Sequence, residues 1–296
     1  MAFLLEDELP CRGACYSDSL SRRFSLNRCN VWLILPFNQN SWSVRIERGS
    51  QGLEPKQAVP FDRFNFEAGR VLASKYEILR PLGSGWQGEV YLVRERGTGI
   101  ERAAKLFYPQ RNPKDRTLIQ DARKLHRLRN CPILIQYHSQ ERIVFKRTPV
   151  TCLISDFVEG EPLFEFLKKQ PGKRLTPFEG IHLLYSLAKG LEPVHVCGEY
   201  HGDLHDGNIM IRRFGIGFEV KVLDVFHWWG TRKENIQEDV FDLIRILYDS
   251  LGGQPRYSNH PAVIKRICCG LKKSLISKKY RNASQLRSFL DTMEWD

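Results

Sequence analysis

The pattern of hydrophobic and polar positions changes its period along this chain of 296 residues. Three segments from Lys75 onward alternate between apolar and polar residues: KYEILRPLG, GEVYLVRE and ERAAKLFY. A period of two places every second side chain on the same face, as in strands that bury one face of an antiparallel sheet. The alternation therefore predicts a meander of three strands.

Helical spacing replaces the alternation in the segment 113–130. Its apolar residues recur at intervals of three and four positions and form one helical stripe. The stripe consists of Leu118, Ile119, Ala122, Leu125 and Leu128. More extended segments follow this predicted helix and end at TCLISDFVEG.

The second half of the chain is predicted to be mostly helical. Thr176 and Glu179 have the spacing of a capping box at a helix start, and Gly198 is a typical stop after that helix. A second helix is predicted within EDVFDLIRILYDSLGG, and a last one follows Asn282 as its N-cap. Two short strands, NIMIRR and FEVKVLD, are predicted between the first two helices.

Residues 1–70 differ from the rest of the chain in their pattern. The segments NVWLILPF and SWSVRIER predict a β-hairpin, and the stretch with Pro and Gly that follows them predicts a linker. No motif that carries chemistry occurs in this part. We therefore expect residues 1–70 to be an accessory extension that is packed on the main domain or tethered to it.

The composition narrows the class of protein. Hydrophobic residues make up 42% and charged residues 27% of the chain, which is typical of a globular protein. No apolar run approaches the ~20 residues of a membrane helix, and the acidic N-terminus argues against export. Eight cysteines without a C-x-x-C pair argue against a zinc site or a disulfide framework, so a cytoplasmic location is expected.

The formal net charge of +11 is concentrated late in the chain, in residues 265–281. One interpretation is a solvated basic helix face with a loop. The other is a surface that binds an acidic partner, a nucleic acid or a polyanionic substrate. Binding of nucleic acid is disfavoured, because no RNA-recognition consensus accompanies the charge.

A glycine-rich turn lies between the first two predicted strands, in GSGWQGEV. Gly83, Gly85 and Gly88 form the spacing G-x-G-x-x-G, which by itself also fits an ordinary hairpin. A dinucleotide fingerprint would run from a strand into a helix, whereas this turn joins two strands and suits a flap over a nucleotide. Backbone N–H groups can approach phosphate oxygens closely where no Cβ intervenes.

Lys105 lies among small and apolar residues in the third predicted strand. A lysine in such a strand is unfavourable unless its charge is used, although its ammonium could also reach the surface along the aliphatic stem. The functional interpretation is contact with nucleotide phosphates. Asp121 on the following helix is the best-placed acid to hold the ammonium.

Two polar clusters follow in the second half, HGDLHDGN and KVLDVF. With the glycine-rich turn, the AAKLF strand and ISDFVEG, they occur in the order found in the protein-kinase-like superfamily, which the chain resembles from about Tyr76 to Trp295. The resemblance implies an α+β bilobal fold. Residues 71–156 would form an N-lobe of antiparallel sheet with one helix, and residues 157–296 a mainly helical C-lobe.

The resemblance implies ATP and Mg²⁺ as cofactors. The positions that would contact the nucleotide are Gly83, Ser84, Gly85, Gly88, Val90, Ala103, Lys105, Asp156, Phe157 and Val158. Ser155 would guard the pocket behind the adenine. Lys105 would bind the α- and β-phosphates, and Asp121 would pair with Lys105. The alternative to Asp121 is Gln120 or a contact bridged by water.

The catalytic loop implied by the resemblance is HGDLHDGN. Asp203 would orient the attacking hydroxyl and accept its proton, while Asn208 and Asp224 would ligate Mg²⁺. His205 would either hydrogen-bond the γ-phosphate or shape the loop. His201 is expected to pack beneath the metal-binding motif, and Asp239 to anchor the catalytic loop.

Several positions depart from the pattern of protein kinases. Asp121 stands where Glu is usual, Gly202 replaces the Arg that reads a phosphorylated activation loop, and DVF replaces Asp-Phe-Gly. Only fifteen positions separate Asp224 from Asp239, so no long activation segment fits between them. The form HGDLHxGN is typical of aminoglycoside and choline phosphotransferases.

The leading hypothesis is a compact Ser/Thr protein kinase that transfers the γ-phosphate of Mg-ATP to a hydroxyl of a protein substrate. A small-molecule kinase is the alternative that the catalytic loop and the missing docking segment favour. A pseudokinase that serves as a binding module is the third hypothesis, against which stands the complete set of Lys105, Asp203, Asn208 and Asp224.

Overall fold

The computed structural model describes residues 63–227 and 230–294. The predicted hairpin of the N-terminal extension lies outside the described residues. The described residues belong to one compact unit, which spans Pro55–Asp296.

The alternating segments form one six-stranded antiparallel sheet in the order β1-β2-β3-β4-β6-β5. The predicted meander is the central part of this sheet, from β2 to β4. The strands are β1 Val71–Leu72, β2 Tyr76–Ser84, β3 Gly88–Glu95, β4 Glu101–Phe107, β5 Tyr137–Phe145 and β6 Thr148–Asp156.

One face of this sheet is buried beneath residues that precede it in the chain. Phe64 and Phe66 pack on the core of this face, although the sequence predicted a linker there. The buried carboxylate of Glu89 accepts hydrogen bonds from the backbone N–H of Phe64 at 2.8 Å and from the hydroxyls of Tyr91 and Tyr108. Arg70 lies 4.0 Å from the ring centroid of Phe66. Residues 63–70 are therefore part of the N-lobe.

The opposite face of the sheet packs against the helix α1, Arg116–Arg127. Phe107 and Leu153 of the sheet meet Leu118 of the helix. The predicted apolar stripe is partly wrong, because Ile119 is 36% exposed whereas Lys124 is fully buried. A charged side chain thus lies on the inner face of α1.

The second half forms a mainly helical lobe around one large hydrophobic core. A small antiparallel sheet in the order β7-β8-β9 lies beside the helices. The elements are β7 Glu161–Pro162, α2 Leu163–Lys168, α3 Pro177–Val196, β8 Ile209–Phe214, β9 Gly217–Val222, α4 Arg232–Ser250, α5 Gln254–Tyr257, α6 Ala262–Cys268, α7 Lys273–Lys279 and α8 Ala283–Thr292.

Capping residues fix the ends of the long helices. The predicted capping box of Thr176 and Glu179 is present at the start of α3, and Asn282 caps α8 through its side chain. The helix α4 begins at Arg232, earlier than the sequence predicted, because Thr231 and Glu234 form a second capping box.

The α+β fold with a sheet-rich N-lobe and a helical C-lobe is confirmed. In the part of the chain that the structure describes, no helix combines the length and the apolar character that a membrane span requires.

Candidate active site

The glycine-rich turn joins β2 to β3 above the cleft face of the sheet. The backbone N–H of Gly85 donates to the carbonyl of Gly88 at 2.9 Å and closes the turn. A Cβ on Gly88 would overlap the backbone carbonyl of Leu106, whereas Gly83 and Gly85 have no atom within 4 Å of such a Cβ. Gly88 therefore allows two strands to approach, while Gly83 and Gly85 face open space, so that the backbone of the turn is not shielded by side chains.

Lys105 lies on the cleft face of β4. Its ammonium donates to the Asp224 carboxylate at 2.8 Å and to the side-chain carbonyl of Gln87 at 2.8 Å. Val90 is its register partner on β3, and Ala103 lies two residues before it on the same face. The sequence did not single out Gln87, which ties the tip of the glycine-rich turn to the lysine.

Asp121 lies on α1 near the ammonium of Lys105 but does not pair with it directly. Among the described residues the carboxylate that contacts Lys105 is Asp224, and the ion-pair partner of Asp121 is His227 at 3.7 Å. The short side chain of Asp121 explains why the two groups do not pair directly. The additional methylene of a Glu would bring the carboxylate closer to the Lys105 ammonium. Burial raises the pKa of Asp121 to about 7, and the nearby Lys105 charge opposes this shift.

The connection between the lobes begins at the end of β6. Ser155 is buried. The carboxylate of Asp156 lies 3.0 Å from the guanidinium of Arg102 and 2.6 Å from the ring nitrogen Nε2 of His138. Phe157 and Val158 follow directly and lead into the second lobe. Both lie at the hinge position that the sequence predicted for adenine contact.

The catalytic loop, residues 201–208, is anchored from below by α4. The fully buried carboxylate of Asp239 accepts hydrogen bonds from the backbone N–H groups of His201 at 2.6 Å and Gly202 at 2.8 Å. His195 of α3 also contacts this carboxylate, at 3.1 Å. The three contacts hold the start of the loop rigidly and correspond to the anchoring predicted for Asp239.

His201 connects the catalytic loop to the residues before Asp224. Its Nδ1 accepts from the backbone N–H of Asp203, so Nε2 carries the proton and donates to the carbonyl of Leu223 at 2.8 Å. Complete burial lowers the pKa of His201, which keeps this ring neutral. The position fits a structural role beneath the metal-binding motif.

Asp203, Asn208 and Asp224 come together through this connection. The Asn208 side-chain amide donates to the carboxylate of Asp203 at 3.0 Å and to its backbone carbonyl at 2.9 Å. The backbone N–H of Leu223 donates to the carbonyl of Asn208 at 2.8 Å. Asp224 has a φ of 54°, in the left-handed region. That conformation turns the residue out of the path of β9, and its carboxylate meets Lys105.

His205 lies beside Asp203 at the edge of the loop. Its Nδ1 accepts from the backbone N–H of Gly207 at 3.0 Å, which shapes the turn, and its Nε2 is 3.9 Å from the Asp203 carboxylate. The contact with Gly207 fits the loop-shaping role predicted for His205, and the exposed ring fits the predicted hydrogen bond to a γ-phosphate.

The residues present fit a magnesium ion bound together with phosphates. The amide N–H group of Asn208 is used by Asp203, which leaves its carbonyl oxygen as a donor to a metal. The carboxylate of Asp224 is partly exposed. One amide and one carboxylate oxygen are a common protein contribution to a Mg²⁺ ion whose other ligands are phosphate oxygens and water.

Lys124 is a further residue of the site that sequence reasoning missed. Its side chain leaves the inner face of α1 and reaches the backbone of the catalytic loop and of the segment after Asp224. Its burial could not be predicted from the sequence, because a lysine three residues after Asp121 on a helix is usually exposed to solvent.

Comparisons with known proteins agree with this geometry. The family model described as "Protein kinase domain" matches residues 76–268, which is more than half of the chain. The serine/threonine-protein kinase pkn2 of Myxococcus xanthus is 31% identical over 156 residues, covering 52% of this chain and 18% of that protein. The Aurora kinase of Schizosaccharomyces pombe is 28% identical over 224 residues, covering 65% of this chain and 59% of that protein.

The fold is similar to that of solved kinase domains. The PknI kinase domain of Mycobacterium tuberculosis is 18% identical with a TM-score of 0.54, covering 76% of this chain and 97% of that structure. At this identity the likeness concerns the fold alone. The alignments with both relatives span less than two thirds of the relatives' own length. The match of the family model, together with the order and the geometry of these motifs, shows that the chain belongs to the protein kinase domain family.

Proposed function

We propose that this chain is a protein kinase that transfers the γ-phosphate of Mg-ATP to a serine or threonine hydroxyl. The observation that carries the proposal is the convergence of four side chains from three separate segments of the sequence, around positions 105, 203–208 and 224. Lys105 contacts Asp224, Asn208 contacts Asp203, and a backbone hydrogen bond from Leu223 to Asn208 joins the two pairs. An ammonium, an amide and two carboxylates around one cleft are the groups that phosphoryl transfer needs.

The mechanism follows from the position of each group. Asp203 orients the acceptor hydroxyl and takes its proton as the oxygen attacks the γ-phosphorus. The bond from this phosphorus to the β,γ-bridging oxygen breaks, and ADP leaves. Lys105 binds the α- and β-phosphates after its ammonium exchanges Asp224 for phosphate oxygens. Asn208 and Asp224 would hold Mg²⁺, which neutralises the charge on the phosphates.

The relatives' names favour a protein acceptor, since pkn2 is a serine/threonine-protein kinase. The basic surface of residues 265–281 is a candidate contact for an acidic region of such a substrate.

A small-molecule acceptor is the second candidate, and one observation favours it. Residues 225–231 are the whole connection between Asp224 and the start of α4. A connection of this length leaves little chain for docking a peptide beside Asp203.

Labelled ATP tests both candidates in one experiment. The purified chain is incubated with a mixture of generic proteins and, separately, with a panel of hydroxyl-bearing metabolites including aminoglycosides and choline. Transfer to protein supports the first candidate, and transfer to a metabolite alone supports the second. We expect Asp203→Ala and Asp224→Ala to lower turnover by roughly 10²–10⁴-fold.

Glu165→Ala is the matched control, because this carboxylate is exposed and, among the described residues, its ion-pair partner is Lys168 on α2. The control is expected to keep the turnover of the natural chain. Near-full activity in Asp203→Ala or Asp224→Ala would contradict the proposed roles.

A further inference from the structure

We propose that Lys124 is a positioning residue that fixes α1 against the catalytic loop and the segment after Asp224. Through this contact the site is assembled without a phosphorylated activation segment. The inference rests on the proposed function, because it concerns how the same site reaches its active arrangement.

The side chain of Lys124 is fully buried, with 0% of its surface exposed. Its ammonium donates to the backbone carbonyl of Phe226 at 2.7 Å and to that of His201 at 3.2 Å. The same ammonium lies 3.9 Å from the ring centroid of Tyr200. Two carbonyls and an aromatic face therefore replace the water around the cation.

This arrangement is not explained by stability alone. Moving an ammonium out of water is unfavourable, and neutral carbonyls compensate for the lost hydration less well than a carboxylate would. Burial accordingly lowers the pKa of Lys124 to about 8, although Asp239, Glu199 and Asp121 favour the charge from further away. A Leu or Met would fill the same volume in α1 without this penalty. The charge at this place therefore indicates a role in geometry.

The two acceptors belong to the two halves of the site. His201 lies two residues before Asp203, and Phe226 lies two residues after Asp224. One ammonium thus sets the distance between the catalytic loop and the metal-binding segment, and it ties both to the helix that carries Asp121. A displacement of α1 would break both hydrogen bonds at once.

A second bridge supports the same helix. Glu199, which is almost fully buried, pairs with Arg127 at the end of α1 at 3.1 Å and with Arg232 at the start of α4 at 3.3 Å. Lys124 and Arg127 are three residues apart and so lie on the same side of α1. The helix is therefore tied to the C-lobe at two neighbouring points.

This contact explains two departures in the sequence together. Gly202 carries no side chain that could bind a phosphate, and residues 225–231 are too few for a long activation segment. A kinase without these parts needs another way to hold α1. Lys124 provides it from inside the fold.

The test compares Lys124→Met, which keeps the volume and removes the charge, with Lys124→Arg, which keeps the charge and the donors. Lys75→Met is the matched control, because Lys75 is exposed, pairs with Glu141 of β5 at 3.5 Å, and belongs neither to the catalytic groups nor to the basic segment 265–281. Turnover and KM for ATP are measured at a temperature where tryptophan fluorescence shows each variant folded. Hydrogen exchange is followed by mass spectrometry in the same samples.

We expect Lys124→Met to lower kcat by roughly 10–100-fold with KM for ATP within about threefold, since misplaced groups lose turnover more than ground-state binding. Amide exchange should rise in residues 116–128 and 224–227 and stay unchanged in α8. Lys124→Arg should retain most of the turnover and the protection, and Lys75→Met should change neither. If Lys124→Met does not fold, Lys124→Gln replaces it, because its amide still donates to one carbonyl.

A folded Lys124→Met or Lys124→Gln with natural turnover would overturn the proposal. A loss of melting temperature alone, without a change in kcat or in local exchange, would also overturn it and leave Lys124 a purely structural residue. If the natural chain transfers no phosphate, the proposed function fails. The exchange measurement still decides whether Lys124 holds α1, so the two failures are distinguishable.

Discussion

The surroundings of Lys105 and Asp121 determine their expected contribution to turnover more than their residue type does. Within residues 63–227 and 230–294, the Lys105 ammonium donates hydrogen bonds to Gln87 of the N-lobe and Asp224 of the C-lobe. Asp121 is buried and its pKa is raised to about 7, mainly by burial. An acid whose proton is half-bound near neutrality attracts the lysine less than a fully ionised one. The two residues should therefore differ in their importance for turnover.

Lys105→Met is expected to lower kcat/KM for ATP by roughly 10²–10³-fold, because the phosphates lose their only ammonium on β4. Asp121→Asn should lower it by about tenfold or less, because the Asp121 carboxylate does not pair directly with Lys105 and Gln87 still accepts a hydrogen bond from the lysine. Steady-state kinetics with varied ATP measures both. Equal losses in the two variants would mean that Asp121 pairs with Lys105 once the nucleotide is bound.

At the scale of elements, side chains outside the apolar pattern decide how strands and helices meet. Glu89 on β3 organises the residues before β1, and Asp239 on α4 holds the catalytic loop. Asp242 lies on α4 one turn after Asp239, and burial with the nearby Glu238 and Asp239 raises its pKa to about 7. The raised pKa of Asp242 gives the stability of α4 a dependence on pH.

Asp242→Asn should make the stability of the chain less sensitive to pH. The folded pKa of about 7 exceeds the ordinary 3.8, so the folded state binds a proton more tightly than the unfolded state. This contribution is complete below about pH 4 and is lost as pH rises through 7. At pH 8 the variant should be more stable than the natural chain by up to a few kcal/mol, and the gain should fall towards zero or reverse by pH 4. Urea unfolding at both pH values measures this.

Glu165→Gln serves as the control for that comparison, since Glu165 is an exposed acid. A gain in Asp242→Asn that is equal at both pH values would show that the buried proton is not its source.

Phe66→Ala is expected to lower the free energy of unfolding by about 3 kcal/mol, the usual effect of removing a buried Phe. Phe66 is 5% exposed, and its ring packs against those of Phe64 and Tyr91 in tilted arrangements and against that of Phe145 edge-on. Urea unfolding followed by fluorescence gives the value. An unchanged midpoint would mean that residues 63–66 leave the sheet in solution.

At the scale of the whole molecule, the sequence predicted the elements and the two lobes well. The period-two alternation in β2 to β4 and the capping box of α3 involve residues close together in the sequence. Such local patterns can be read from the sequence without knowledge of the tertiary contacts. The burial of Lys124 and the contact between Lys105 and Asp224 depend on segments 102 and 119 residues apart. No local pattern encodes such contacts. The early start of α4 did have a local signal, Thr231 and Glu234, within the stretch TRKE.

Binding of nucleotide offers a test that does not need the substrate. Mg-ATP at a hundred times its dissociation constant should stabilise the folded chain by about 2.7 kcal/mol, and chelation of the metal should remove part of this gain. The change in melting temperature measures both. Asp224→Asn should abolish the metal-dependent part. An identical shift with and without Mg²⁺ would contradict the assignment of Asn208 and Asp224, and no shift at all would favour a binding module.

The packing of Phe64 and Phe66 on the first sheet has a practical consequence. A fragment cut to the family boundaries, 76–268, would expose the aromatic face of that sheet and lose the whole of α8. Such a fragment is expected to aggregate when expressed, because the newly exposed face of the six-stranded sheet is apolar. A recombinant fragment should therefore start upstream of residue 63 and extend past residue 294. It then keeps both the residues that cover the sheet and the helix α8.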